Sequence, residues 1–215
     1  KSVVSANPAA GFSIVSYTGN STSGTTVGHG LSDAPKIIIY KRRDAGANWI
    51  IKSSLLGVNN YLLFTTDASN PDSGVFWNST LPTSSVFTLG NSASVNVGTY
   101  VAYCFAEVAG FSKFGSYVGT NASINIVTGF EPAFVMIKWT SGSIGYGGWA
   151  IYDNKRDTTN PNTKFLQANS AATEVDNSGY SIDFLENGFT IGATQNDLIN
   201  YNGNSYIYMA FANQF

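Results

Sequence analysis

The chain has 215 residues, 43% hydrophobic and 14% aromatic but only 11% charged, against about 25% charged in an average domain. So few charges leave no stretch with the Lys, Glu and Arg that cover the solvent face of a long helix, and the composition points to an all-β fold. A net charge of −2 excludes the clustered basic surface that phosphate backbones require, so nucleic acid is not an expected partner.

In chain order, residues 1–10 read as an N-terminal segment, and the chain begins at Lys1 instead of Met, as an excised or processed piece would. Strands are expected near 12–18, 25–28, 36–42, 48–53, 61–66, 74–77, 86–89 and 99–107. Turn chemistry separates them at Thr18-Gly19-Asn20, Ala45-Gly46, Asn70-Pro71-Asp72-Ser73-Gly74, Leu81-Pro82-Thr83 and Asn91-Ser92. The basic run Lys41-Arg42-Arg43 meets Asp44 at once and reads as a solvated strand end.

From Gly110 the same phrases return. Gly11-Phe12-Ser13, Tyr17 and Gly19 are answered by Gly110-Phe111-Ser112, Tyr117 and Gly119. Pro35 to Lys41 has the spacing of Pro132 to Lys138, Trp49 answers Trp149, and Phe87-Thr88-Leu89-Gly90 answers Phe189-Thr190-Ile191-Gly192. Each half closes on an aromatic strand, Tyr100 to Ala106 and Tyr206 to Ala212. The expected architecture is therefore a duplicated, jelly-roll-like β-sandwich of two similar, tightly packed halves, 11–109 and 110–215, with one large sandwich built from both as the alternative. Both faces of the closing strands lack charge, which places these strands centrally. If each row is buried, replacing Phe105 or Phe211 by Ala is severely destabilising.

Reactive groups are scarce. His29, the single histidine, lies in the turn Gly28-His29-Gly30 without a G-x-S-x-G nucleophile elbow, so a turn or surface role is expected. Cys104, the single cysteine, sits mid-strand opposite Ala210 in the alignment of halves and reads as core. One His and one Cys cannot build a transition-metal site, so no metal and no cofactor is expected, calcium at the loops 67–73 or 153–160 being the weaker alternative. Most acids sit in apparent turns, and Asp183 with Glu186 reads as a solvated strand edge rather than a carboxylate pair, so no catalytic residue is assigned and the chain is expected to be no enzyme. The sequons at Asn20, Asn78 and Asn121 carry meaning only in a eukaryotic secretory setting. No apolar run reaches the roughly 20 residues of a membrane helix, and no membrane insertion is expected. Flat aromatic faces beside amide groups suit sugars. Trp49 and Trp149 occupy matching positions, which suggests a structural job for both; core packing competes with exposure at the others too, and Trp77, Asn78, Trp139 and Tyr146 are the better candidates for glycan or receptor contacts.

The phrases from Gly11 to Asn20, Tyr100 to Glu107 and Tyr206 to Ala212, together with Asp183-Phe184-Leu185-Glu186-Asn187-Gly188-Phe189, resemble a repeated domain of tail-fibre and other virion proteins of marine and cyanobacterial tailed phages. The resemblance covers nearly all the chain from Gly11 onward. It implies a virion location, other virion proteins as partners, a homo-oligomer such as the trimer of a fibre, and loops presented to a host-surface glycan. It carries no assigned binding or catalytic residues. A head-decoration protein, or a secreted carbohydrate-binding module unconnected with a virus, are the alternatives.

Overall fold

A computed structural model describes residues 2–142 and 147–213. The chain forms two compact units, one comprising Lys1–Leu63 and Ser69–Val108, the other Phe64–Ala68 and Ala109–Phe215. Within the described residues helix is limited to two 3₁₀ turns, Ser54–Leu56 and Ser178–Tyr180. The pairings between strands are antiparallel in both units.

The first unit contains β1 (Ser2–Asn7), β2 (Phe12–Thr18), β3 (Thr25–Gly28), β4 (Ile37–Arg42), β5 (Ile50–Ser53), β6 (Asn60–Leu63), β7 (Asn70–Pro71), β8 (Val86–Leu89) and β9 (Thr99–Phe105). Its large sheet runs β1-β2-β9-β4-β5-β6-β7, and β3 pairs with β8 in a small second sheet. The second unit contains β10 (Ser112–Val118), β11 (Ile124–Val127), β12 (Pro132–Ser141), β13 (Trp149–Asp153), β14 (Lys164–Gln167), β15 (Val175–Asp176), β16 (Ile182–Leu185), β17 (Gly188–Ile191) and β18 (Ser205–Ala212). Its large sheet runs β10-β18-β12-β13-β14-β15 and its small sheet β11-β17-β16. Leaving β1 aside, the two large sheets have the same strand order.

Several segments differ from the sequence reading. Residues 2–7, read only as part of an N-terminal segment, add an edge strand on β2. Asn70–Pro71, read as the start of a turn, pair with β6 as the short strand β7. Residues 75–79 form turns, not a strand, because the Asp72 carboxylate accepts the Phe76 N–H at 3.2 Å and ties the chain into a local loop.

Each unit is a two-layer sandwich with its own core. In the first, Val15, Tyr17, Ile38, Tyr40, Ile50, Tyr100, Ala102 and Cys104 of the large sheet meet Val27, Phe87 and Leu89 of the small one. In the second, Tyr117, Val135, Ile137, Ala150, Tyr152, Tyr206, Tyr208 and Ala210 meet Ile182, Phe184, Phe189 and Ile191. The closing strands β9 and β18 are central, as their lack of charge implies. Their core-facing rows are Tyr100-Ala102-Cys104 and Tyr206-Tyr208-Ala210, whereas Phe105 and Phe211 are only half-buried. The expectation that these two phenylalanines anchor the core is thereby corrected. A period of two separates the faces of a strand without saying which one meets the other sheet.

The same polar clamp closes both sandwiches. Tyr17 donates its hydroxyl to the Val95 carbonyl at 2.7 Å and stacks on Tyr100; Tyr117 donates to the Ile199 carbonyl at 2.6 Å and stacks on Tyr206. Asn96 Nδ2 donates to the Thr22 and Gly90 carbonyls, and Asn200 Nδ2 to those of Ala122 and Gly192. Glycine is required beside each clamp: a Cβ on Gly19 would lie 2.2 Å from the Asn96 carbonyl carbon, and one on Gly119 would lie 2.2 Å from the Tyr201 oxygen.

Candidate functional site: two related clefts

A cleft of about 590 Å3 within the first unit opens where β5 and β6 approach the loop that precedes β9. β6 supplies Tyr61 and Leu63, β5 supplies Ile50, and the loop supplies Ala93 and Ser94. Tyr61 and Phe76 rings lie 4.6 Å apart on its apolar side. Arg42 and Asn48 bring donors and an amide acceptor. Arg42 is held in place, with Nε donating to Asp44 Oδ1 at 2.8 Å and Nη1 to the Ala93 carbonyl at 3.4 Å. That ion pair raises the arginine's proton affinity and holds the Asp44 carboxyl below the usual carboxylate range, the direct hydrogen bond between them being the main cause.

The second unit has a smaller cleft, about 250 Å3, at the matching place in its sheet. Phe165 and Gln167 of β14 stand where β6 supplies Tyr61 and Leu63. Tyr180 stacks on Phe165 at 5.2 Å, and the loop before β18 supplies Asp197 and Leu198. In both units the closing-strand tyrosine ties this loop down: Tyr100 donates to the Ala93 carbonyl at 2.6 Å, and Tyr206 to that of Asp197 at 2.7 Å. The clefts differ in polarity, with Arg42 lining the first and Asp197 the second.

A family model described as a domain of unknown function (DUF7483) matches residues 1–214. The chain belongs to that family. No curated protein and no solved structure matches it. The family description assigns the DUF7483 domain no activity, so its chemistry has to be read from the side chains.

Of the surface contacts expected from sequence, the DUF7483 fold buries two. Trp77 is only 1% exposed, packed on Tyr40 at 4.8 Å with the Lys52 ammonium 5.6 Å from its ring centroid, and Trp139 is 5% exposed within the second core. Neither presents a flat face to a ligand, and the expectation for both is corrected. Asn78 is exposed and accepts the Ser23 hydroxyl at 2.9 Å, while Tyr146 lies outside the described residues. Trp49, read as structural, is 38% exposed, whereas its counterpart Trp149 is buried against Phe64 at 5.0 Å. Both tryptophans carry a lysine over the ring, Lys41 at 5.5 Å and Lys138 at 5.7 Å.

The nucleophile and base candidates are structural. The Cys104 thiol is buried and its pKa is pushed up to about 12 by that burial, which suppresses the thiolate. His29, for which a turn or surface role is expected, is buried, and both ring nitrogens are engaged: Nδ1 accepts the Leu31 N–H at 3.1 Å and Nε2 faces the Thr83 carbonyl at 3.1 Å. Those partners fix the neutral tautomer with its proton on Nε2, and burial lowers the pKa. Asp183 lies half-buried in β16, and Glu186 is exposed in the two-residue turn between β16 and β17. Among the described residues, no group of three or more His, Cys, Asp or Glu side chains could hold a metal ion.

Two buried lysines escaped the sequence reading. Lys52 donates to the carbonyls of Gly57 at 3.0 Å and Val58 at 2.6 Å, and Lys138 to those of Gly147 at 2.7 Å and Thr65 at 3.1 Å. Burial brings each amine down to about 8. Carbonyl partners and an aromatic face make them loop anchors, and the only hint in sequence was a lysine inside an apolar strand.

Proposed function

We propose that this DUF7483 chain is a non-enzymatic attachment protein of a tailed-phage virion, of the tail-fibre or adhesin type, which offers its first-unit cleft to a neutral or weakly charged host-surface glycan. The observation that carries the binding reading is the cleft itself. An aromatic pair, Tyr61 and Phe76, stands beside Arg42, Asn48 and Ser94 on a rigid double-layer scaffold. Sugars are held by that combination, with apolar ring faces against aromatics and hydroxyls on a few placed polar groups. The virion assignment draws on the likeness of the strand phrases to tail-fibre repeats, and fusion of two copies of one ancestral template is proposed from the shared strand order and shared clamps.

The test is a glycan array probed with the whole chain, followed by titration of any hit against Asn48→Ala and Ser94→Ala. These positions lie in loops at the cleft mouth, so their loss should not impair folding. Binding at least tenfold weaker in either variant supports the reading; binding unchanged in both refutes the cleft. Immunogold labelling on tails supports the adhesin reading, labelling on capsid faces favours decoration, and a glycan binder absent from particles favours a secreted carbohydrate-binding module.

A further inference from the structure

A sheet edge is a row of unpaired N–H and C=O groups that recruits another strand unless something discourages it. The outer strands of the two large sheets are β1 and β7 in the first unit, β10 and β15 in the second. Three of them carry a protecting feature. β7 is two residues long and contains Pro71, which has no N–H to donate. β15 is also two residues long and ends in Asp176, and β10 carries Lys113.

β1 has none of these features. Its six residues, Ser2-Val3-Val4-Ser5-Ala6-Asn7, include no charge and no proline, and they pair with β2 over their whole length without a bulge. All six are exposed, Val3 by 70%. One side of the strand is taken by β2, and the other pairs with no strand among the described residues.

We infer that β1 is a dimerisation edge, on which a second copy of this chain lays its own β1 antiparallel, joining two seven-stranded sheets into one. Among the outer strands of the large sheets only β1 lacks protection, so the edge that suits it is its own duplicate. The pair sets no charged side chain of one β1 against another. A twofold axis normal to the sheet keeps each side chain on its own face, so residues whose numbers add to an even sum stand opposite one another. Centred on Val4, this places Val4 against Val4 of the second copy and Val3 against Ser5, with the two Val3 side chains diagonal on the other face. Centring on Ser5 would set Val3 against Asn7, so the valine-centred register, with its β-branched apolar pair, is preferred. Each copy uses its one unprotected edge, and the assembly closes at two. Six residues a side fall short of the roughly 20–30 of a standard interface, so the dimer is weak. β1 lies across the sheet from β5 and β6, and the inference is independent of the proposed glycan cleft.

The experiment is sedimentation velocity of the whole chain from about 5 µM to about 0.5 mM, where a dimer that dissociates on dilution is expected. Val4→Lys opposes two ammonium groups at the axis and should raise the dissociation constant at least tenfold. Val4 lies near Gly30, so a second pair of variants tests the register without a new charge. Under mild oxidation Val4→Cys should give a disulfide-linked dimer, and Ser2→Cys, which faces Ala6 of the second copy, at least tenfold less; the native Cys104 is buried. A chain that stays monomeric at the highest concentration, association unchanged by Val4→Lys, or equal cross-linking at the two cysteine positions overturns the inference.

Discussion

Replacing Asn96 by alanine removes a side chain that ties the backbone at 20–22 and at 90 to its own segment. Asn96 is buried, its Nδ2 donating to the Thr22 carbonyl at 3.0 Å and the Gly90 carbonyl at 2.5 Å, while its Oδ1 accepts the Asn20 N–H at 2.9 Å. The methyl group of alanine reaches none of them. A buried polar group left without its partner costs about 1–3 kcal/mol. Gly90 is buried and bears the full penalty, whereas Asn20 and Thr22 lie nearer the surface and recover water. The expected loss is therefore about 2–4 kcal/mol, a large share of the roughly 5–15 kcal/mol that holds a domain folded. Urea denaturation followed by tryptophan fluorescence measures it, and the midpoint should fall with little change in slope. Asn200→Ala strands the same set in the second unit, namely Thr120 N–H and the carbonyls of Ala122 and Gly192, and should cost the same to within about 1 kcal/mol. A loss under about 1 kcal/mol at either position would refute the view that these clamps close the sandwiches.

Two further outcomes follow from buried side chains. His29, whose pKa burial lowers from 6.5, gains a proton more readily in the unfolded chain, so its contribution to stability is present above pH 6.5 and is lost as pH falls through the folded value. An NMR titration of its ring protons should give a midpoint below 6.5, and one at or above 6.5 would contradict the buried tautomer. Trp77→Ala should cost about 3–5 kcal/mol by denaturation because the indole fills the first core. The milder Trp77→Phe should leave any glycan affinity unchanged, and a tenfold drop would return that residue to the ligand surface.

Sequence alone determined the all-β class, most strand positions and the central place of the closing strands. Scarce charge, period-two alternation and Gly, Asn and Pro turns act over a few neighbouring residues and leave a local imprint. The matching phrases of the two halves were legible for the same reason, since Tyr17 with Gly19 and Tyr117 with Gly119 belong to clamps whose residue types are fixed by close backbone approach. Cys104 was readable as core from its apolar strand.

Only the tertiary structure decided which face of each strand meets the second sheet, and hence that Ala102 rather than Phe105 lies inside. It also decided that Trp77 is covered while Trp49 is not. Burial of a single aromatic side chain depends on what a distant segment lays over it, as Phe64 does over Trp149, and sequence spacing carries no record of that. The clefts escaped for a related reason. Tyr61, Phe76 and Ser94 are brought together by strand pairing and an anchored loop, which no spacing along the chain records.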